Sequence, residues 1–265
     1  MMENPTRQTT ASEELPKDKD SPPVCEECGR EKYLQNFDEF YMKGIGKVWL
    51  CKGGCSARIR KIQEVLLQRN REKPEISLNQ AGVPRKYWSC SFETFTGNPR
   101  LVEACLKHDI SRQGMVLTGN CGCGKTHLGV SFMRKQLQNV TDIIGFKAAF
   151  LSPRDLISKI SRTMGRQSQD DLTESEIIEK YGNVDLLLLD DLGADSSNAW
   201  FASKVYALVD TRYCKDKPTI VTTNLTLDEI GKRLDDRIAS RLAESRTIGI
   251  DMPDFRKNRR GDHGK

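Results

Sequence analysis

Apolar residues come in short runs separated by longer amphipathic stretches. The runs Met115–Leu117, Phe146–Leu151, Val184–Leu189, Thr219–Thr222 and Thr247–Ile250 predict strands. Helical spacing of apolar positions covers Lys125–Leu137, Pro153–Ser161, Glu174–Tyr181, Asn198–Cys214 and Leu227–Leu234. Strands and helices that alternate in this way predict an α/β fold with a mainly parallel sheet, covered on both faces, giving three α/β/α layers. In Val184-Asp185-Leu186-Leu187-Leu188-Leu189 the apolar run is nearly unbroken, as expected of a central strand buried on both sides. No internal repeat is visible.

The first part of the chain reads differently. Residues 1–23 are polar and rich in Pro, Ser, Thr and charge, with too few apolar groups to offset the entropy of ordering, so a disordered tail is expected. Residues 24–56 hold four cysteines and several aromatics. Residues 57–77 form a basic linker, helical where Ile59, Ile62, Val65 and Leu66 recur between Arg and Lys, and closed by Pro74. Residues 78–265 carry the α/β pattern.

With 265 residues, a full domain and a small one both fit. The net charge of +5 permits a nucleic-acid partner without requiring one. No window approaches the ~18 apolar residues of a membrane span, and the start lacks the apolar core of a secretory signal. A cytoplasmic protein is expected, in which nine cysteines are more readily metal ligands or core residues than disulfides.

The strongest motif is Gly119-Asn120-Cys121-Gly122-Cys123-Gly124-Lys125-Thr126, a full match to the phosphate loop G-x-x-x-x-G-K-[ST]. It follows an apolar run and opens a helix at His127-Leu128. Glycines let backbone N–H groups face phosphate, and the helix start favours an anion. Lys125 is placed to reach the β- and γ-phosphates of ATP, and the Thr126 hydroxyl to ligate Mg²⁺. Cys121 and Cys123 are read as small loop residues. Leu186–Leu189 then delivers Asp190, a Mg²⁺ ligand, and Asp191, a general base for the attacking water. Asn224, after Thr222-Thr223, is placed to orient that water. Arg237 and Arg241 share a helix face, either in salt bridges with Asp235, Asp236 or Glu244, or as arginine fingers toward a neighbouring subunit's ATP. Thr222-Thr223-Asn224-Leu225 is not a guanine-specificity motif.

Cys25-x-x-Cys28 and Cys51-x-x-x-Cys55 frame 22 residues. Two close pairs, each with glycine beside or inside it, suit tetrahedral Zn²⁺ held by four thiolates. A module this small cannot bury enough surface to fold unaided, whereas structural zinc supplies about 10–16 kcal/mol of apparent folding energy. Cys90, Cys105 and Cys214 read as ordinary apolar-type positions, and His108, His127 and His263 as non-ligands.

Taken together, the phosphate loop with His127-Leu128, Leu187-Leu188-Leu189-Asp190-Asp191-Leu192-Gly193, Thr222-Thr223-Asn224-Leu225 and Arg237-Ile238-Ala239-Ser240-Arg241-Leu242 resemble the DnaC/DnaI/IstB branch of the AAA+ ATPases. Pro84-Arg85-Lys86-Tyr87, Phe92-Glu93-Thr94-Phe95 and Asp254-Phe255-Arg256 are similar to flanking motifs of that branch. The resemblance implies a P-loop NTPase core that assembles side by side, with ATP between subunits. It makes Asn224 the sensor-1 residue and Arg241, or Arg237, the finger. It makes the stretch from Thr163 to Tyr181 an extra helical insertion. Many AAA+ enzymes have Glu where this chain has Asp191, which implies slow hydrolysis. Little chain follows Ile250, so only a minimal C-terminal lid is expected, with Arg256 a weak sensor-2 candidate.

In DnaI-like loaders a zinc-bearing N-terminal domain docks the replicative helicase. The resemblance thus implies a loader that binds a hexameric DnaB-type helicase and single-stranded DNA and self-associates into an oligomer or filament. The alternatives are an IstB-like transposition or phage accessory ATPase on duplex DNA, and an adaptor that uses nucleotide only as a switch.

Overall fold

The computed structural model describes residues 23–25, 29–36, 47–51, 57–111, 113–140, 145–163, 172–193 and 198–258, with backbone alone at 32–36, 47–50, 57–62 and 258. The chain divides into two compact units, residues 1–61 and 62–265.

In the first unit, β1 (Lys32–Asn36) and β2 (Lys47–Cys51) pair antiparallel, from Lys32 opposite Cys51 to Asn36 opposite Lys47. The sequence does not announce this hairpin, because neither five-residue strand alternates cleanly. A tight turn precedes β1. The Gly29 N–H donates to the Cys25 carbonyl at 2.8 Å, and the Cys25 N–H to the Arg30 carbonyl at 2.7 Å. Gly29 has φ of 69°, a left-handed position that favours glycine.

The basic linker is two helices. α1 (Ala57–Glu72) ends before Pro74, and α2 (Pro74–Gln80) begins on it. Proline has no N–H to lose at a first helical position, so it opens a helix as readily as it closes one. On α1, Leu66 and Asn70 are buried while Val65 is 61% exposed and drops out of the apolar stripe.

The second unit is built on β3 (Met115–Gly119), β4 (Ala148–Leu151), β5 (Leu186–Leu192), β6 (Thr219–Thr223) and β7 (Arg246–Ile250). They form one parallel sheet in the order β4-β5-β6-β3-β7. Its helices are α3 (Pro99–Leu106), α4 (Lys125–Asn139), α5 (Pro153–Thr163), α6 (Glu174–Gly182), α7 (Ala199–Cys214), α8 (Leu227–Arg233), α9 (Asp236–Ala243) and α10 (Phe255–Asn258).

Alternate strand residues feed two separate cores. Met115, Leu117, Leu186, Leu188 and Ile220 pack with Leu128 and Phe132 of α4 and Cys105 of α3. Val116, Leu187, Leu189 and Val221 pack with Leu156 of α5, Val205 of α7 and Ile238 of α9. Side chains of a strand point alternately to opposite faces, so this division establishes the three layers. β7 alternates buried Ile248 and Ile250 with exposed neighbours, as an edge strand does.

The strand limits differ from the sequence reading most at β4 and β5. β4 starts at Ala148, after Phe146. β5 continues past Leu189 through both aspartates to Leu192, with a register shift against β6 between Leu189 and Leu192. The extra residue in β5 is a bulge. The expected insertion from Thr163 to Tyr181 falls partly outside the described residues; within it, α6 opens on a capping box formed by Thr173 and Glu176.

Candidate functional site

β3 and α4 are joined by the glycine loop at the carboxyl edge of the sheet, where ligands gather in parallel α/β folds. Gly119, Gly122 and Gly124 have φ of 152°, 75° and 100°. A Cβ at Gly119 would stand 2.3 Å from the Ile250 carbonyl oxygen, and one at Gly124 2.7 Å from the Phe95 ring. The loop is therefore glycine for room as well as for backbone conformation.

Lys125 opens α4 and is buried. Its Nζ donates to the carbonyls of Gly119 (2.8 Å) and Asn120 (2.7 Å) and to Oδ1 of Asn224 (2.5 Å). All three are neutral oxygens. A buried cation on neutral partners suits the binding of an anion. Asn224 also donates through Nδ2 to Sγ of Cys121 at 3.3 Å, so its amide joins β6 to the loop. Cys123 is buried in the core below the loop, while Cys121 is exposed.

β5 and β3 are not neighbours; β6 lies between them and binds to both sides. Asp190 Oδ1 accepts from the Thr126 hydroxyl at 2.8 Å and the Thr222 hydroxyl at 2.7 Å. Thr222 Oγ1 accepts in turn from the Asp191 N–H at 2.8 Å. Thr222 thus fixes both aspartates. The sequence marks Thr222 only by its place before Asn224 and not by this role. Burial raises the Asp190 pKa; the two hydroxyl donors oppose this, Asp191 adds to it and Lys86 lowers it. Asp191 is exposed and sits at φ of 64° on the bulge. Aspartate tolerates that left-handed region better than longer side chains.

His127 is held by Ser91 and Phe95. Its Nε2 lies 2.9 Å from the Ser91 carbonyl, which can only accept, so Nε2 carries the proton. Its ring meets Phe95 edge-on at 5.4 Å.

These groups line a cavity of about 930 Å³. Its walls include Lys125, Thr126, His127, Asp190, Asp191 and Asn224, together with Lys86, Tyr87, Phe95, Phe255 and Arg256. The second set had no chemical signal of its own in the sequence, only the similarity of its motifs to a family. The residues fit ATP and Mg²⁺: a glycine cradle, a lysine on neutral oxygens, and a hydroxyl and a carboxylate that meet at one oxygen.

Arg237 and Arg241 do not line this cavity. Arg237 pairs with Asp235, with Nη2 to Oδ2 at 2.8 Å, and stacks over Tyr206 at 4.1 Å. Arg241 pairs with Asp210 of α7, a partner the sequence did not suggest, and lies 5.3 Å from the rings of both Tyr206 and Tyr213.

Of the expected zinc ligands, Cys25 and Cys51 are buried, and Cys28 and Cys55 lie outside the described residues. Among the described residues no group of three potential metal ligands gathers. Cys90 and Cys105 are core residues, but Cys214 is exposed at the end of α7. Among the described residues no helix is long and apolar enough to cross a membrane.

A family model described as IstB-like ATP binding protein matches residues 59–245. The chain is 25% identical over 216 residues to the replicative helicase loader DnaC of Buchnera aphidicola subsp. Baizongia pistaciae, covering 77% of this chain and 84% of the relative. The crystal structure of the DnaC helicase loader matches with a TM-score of 0.53 at 22% identity, over 63% of this chain and 100% of that one. AMPPCP-bound DnaA from Aquifex aeolicus matches at 0.51 and 22% identity, over 64% of this chain and 51% of that one. The two structures share this fold.

Proposed function

Because the chain belongs to the family of IstB-like ATP-binding proteins, and so is a P-loop AAA+ ATPase, we propose that it loads a hexameric DnaB-type replicative helicase onto single-stranded DNA, hydrolysing ATP at the interfaces of an oligomer. The similarity to a replicative helicase loader over 77% of the chain supports this reading. One structural observation carries the interfacial part. Lys125, Thr126, Asp190, Asp191 and Asn224 share a cavity, whereas Arg237 and Arg241 lie outside it.

In that mechanism the glycine loop and Lys125 bind the phosphates. Thr126 and Asp190 would hold Mg²⁺, which would supply charge neutralisation for the phosphates. Asp191, exposed at the mouth of the cavity, takes a proton from the attacking water. Asn224 orients that water, and its bond to Lys125 couples the two positions. Arg241, with Arg237 beside it, stabilises the transition state in a neighbouring subunit's site. Cys25, Cys28, Cys51 and Cys55 hold a structural Zn²⁺. The turn at Cys25–Arg30, immediately before β1, and the pairing of Lys32 with Cys51 support that module.

Co-purification with the cognate helicase tests the loader reading. A complex at micromolar concentration, strengthened by ATP, is expected; no complex with or without ATP would sink it. The match to an IstB-like ATP binding protein leaves a second reading, an IstB-like accessory ATPase on duplex DNA. ATP-dependent filaments on duplex DNA, together with no helicase complex, would establish that one instead.

A further inference from the structure

We propose that the segment from Asp251 to Asn258 is a clasp on the phosphate loop, through which ATP binding and the docking of this segment strengthen each other. The inference rests on the ATP site described above and concerns how that site is regulated.

The loop is gripped from one side by consecutive parts of a single stretch of chain. At its start, Gly119 pairs with Ile250 of β7, whose carbonyl oxygen takes the space of a Gly119 Cβ. At its apex, the Gly122 carbonyl accepts from the Phe255 N–H at 3.1 Å. The Asp254 carboxylate lies so close to Gly122 that a Cβ there would stand 1.8 Å from Oδ1. Gly122 is thus bare to admit Asp254 as well as to turn at φ of 75°. Asp254 Oδ1 also accepts from the Arg256 N–H at 2.9 Å, which fixes the direction in which α10 leaves. Met252 packs on the core near Phe95 and anchors the stretch between the two grips.

The charges are sorted by this arrangement. Arg256 and Phe255 line the nucleotide cavity, and Asp254 does not. A docked segment therefore adds a cation to the wall of the phosphate-binding space while its carboxylate lies against Gly122. Docking also restricts the loop to one shape, which removes part of the ordering cost of binding. Both effects have the same sign, so the docked segment favours ATP. By linkage, ATP favours the docked segment by the same factor.

The test compares equilibrium binding of a fluorescent ATP analogue to the full chain, to a chain ending at Ile250, and to full-length Asp254→Ala and Arg256→Ala. Truncation is expected to weaken binding about tenfold or more, within the usual range for coupled sites. Each point variant is expected to weaken it less, with the nucleotide-free melting temperature held. Unchanged or tighter binding in the point variants overturns the clasp even if the truncated chain does not fold. In the intact chain, saturating analogue is expected to slow amide exchange at Phe255, Arg256 and Lys257; no slowing overturns the proposal. Lys125→Ala serves as the control. If it binds the analogue as well as the full chain does, the ATP site itself is wrong, and the clasp falls with it.

Discussion

Asp190 is under opposing demands in the proposed mechanism: it would have to be ionised to hold Mg²⁺, yet it is buried. Burial raises its pKa, and hydroxyls of Thr126 and Thr222 only partly offset the cost. A carboxyl whose pKa is higher in the folded state contributes stability below its unfolded pKa and loses it as pH rises through the folded one. Asparagine keeps an acceptor for both hydroxyls without the charge. Asp190→Asn is therefore expected to melt above the parent at about pH 8 without nucleotide, with the gap closing toward about pH 4. A gap independent of pH would exclude buried charge as its cause. The same variant is expected to lose Mg²⁺-dependent turnover. Asp191 predicts a different pattern. It is exposed, and asparagine accepts φ of 64° equally well. Asp191→Asn should keep its melting temperature and ATP affinity and lose about a hundredfold or more in turnover. Loss of binding in that variant would remove Asp191 from the role of base.

At the scale of elements, Arg212 of α7 is an organiser that no motif marks. It is 1% exposed. Its guanidinium donates to the carbonyls of Tyr181 and Val184 at 2.8 Å, to Pro218 at 2.6 Å, and to the Thr219 hydroxyl at 2.8 Å. It therefore ties the turn before β5 to the turn before β6, the two strands that present Asp190 and Asn224. Burial lowers its pKa to about 9, so it stays charged at neutral pH. Arg212→Met would leave those carbonyls buried and unpaired, at a cost of roughly 3 kcal/mol or more. Its melting temperature should fall by roughly 6–12 °C; a drop within about one degree would show that water replaces the guanidinium. Legibility in the sequence follows the same physics. Leu186–Leu189 and the face of α4 were readable because periodicity reports burial directly. α2 was not, since Pro74 signals a boundary without saying which side is helical. The strand order was not either, because parallel strands carry no local sign of which neighbour they pair with. Hence the placing of β6 between β5 and β3, and with it the role of Thr222, needed the fold. The bulge at Asp191 and the Asp210 partner of Arg241 also depend on contacts distant in sequence.

At the scale of the whole molecule, two modules make separable predictions. If Cys25, Cys28, Cys51 and Cys55 hold zinc, chelation should abolish exchange protection in residues 24–56 and leave the melting of the ATPase core in place; retained protection would reject the metal. The arginines bear on assembly. Arg241 pairs with Asp210 and stacks between two tyrosines, which by itself accounts for a structural arginine. A finger and a brace differ in one respect: only a finger acts on another chain's site. Arg241→Ala alone should keep ATP binding and lose most turnover, where fingers in analogous sites are worth ~10³–10⁵ in rate. Lys125→Ala alone should also be inactive, because it cannot bind the phosphates. Mixed, the two inactive chains form interfaces that pair an intact phosphate loop with an intact Arg241. About a quarter of interfaces are so paired in a random equal mixture, and turnover should recover toward that fraction if each interface works independently. A brace gives no recovery, because every chain with an intact loop then carries its own damaged Arg241. Asp210→Ala separates the remaining case. It removes the brace and leaves the guanidinium free, so turnover persists if Arg241 is a finger and falls together with melting temperature if the ion pair is the purpose of both residues.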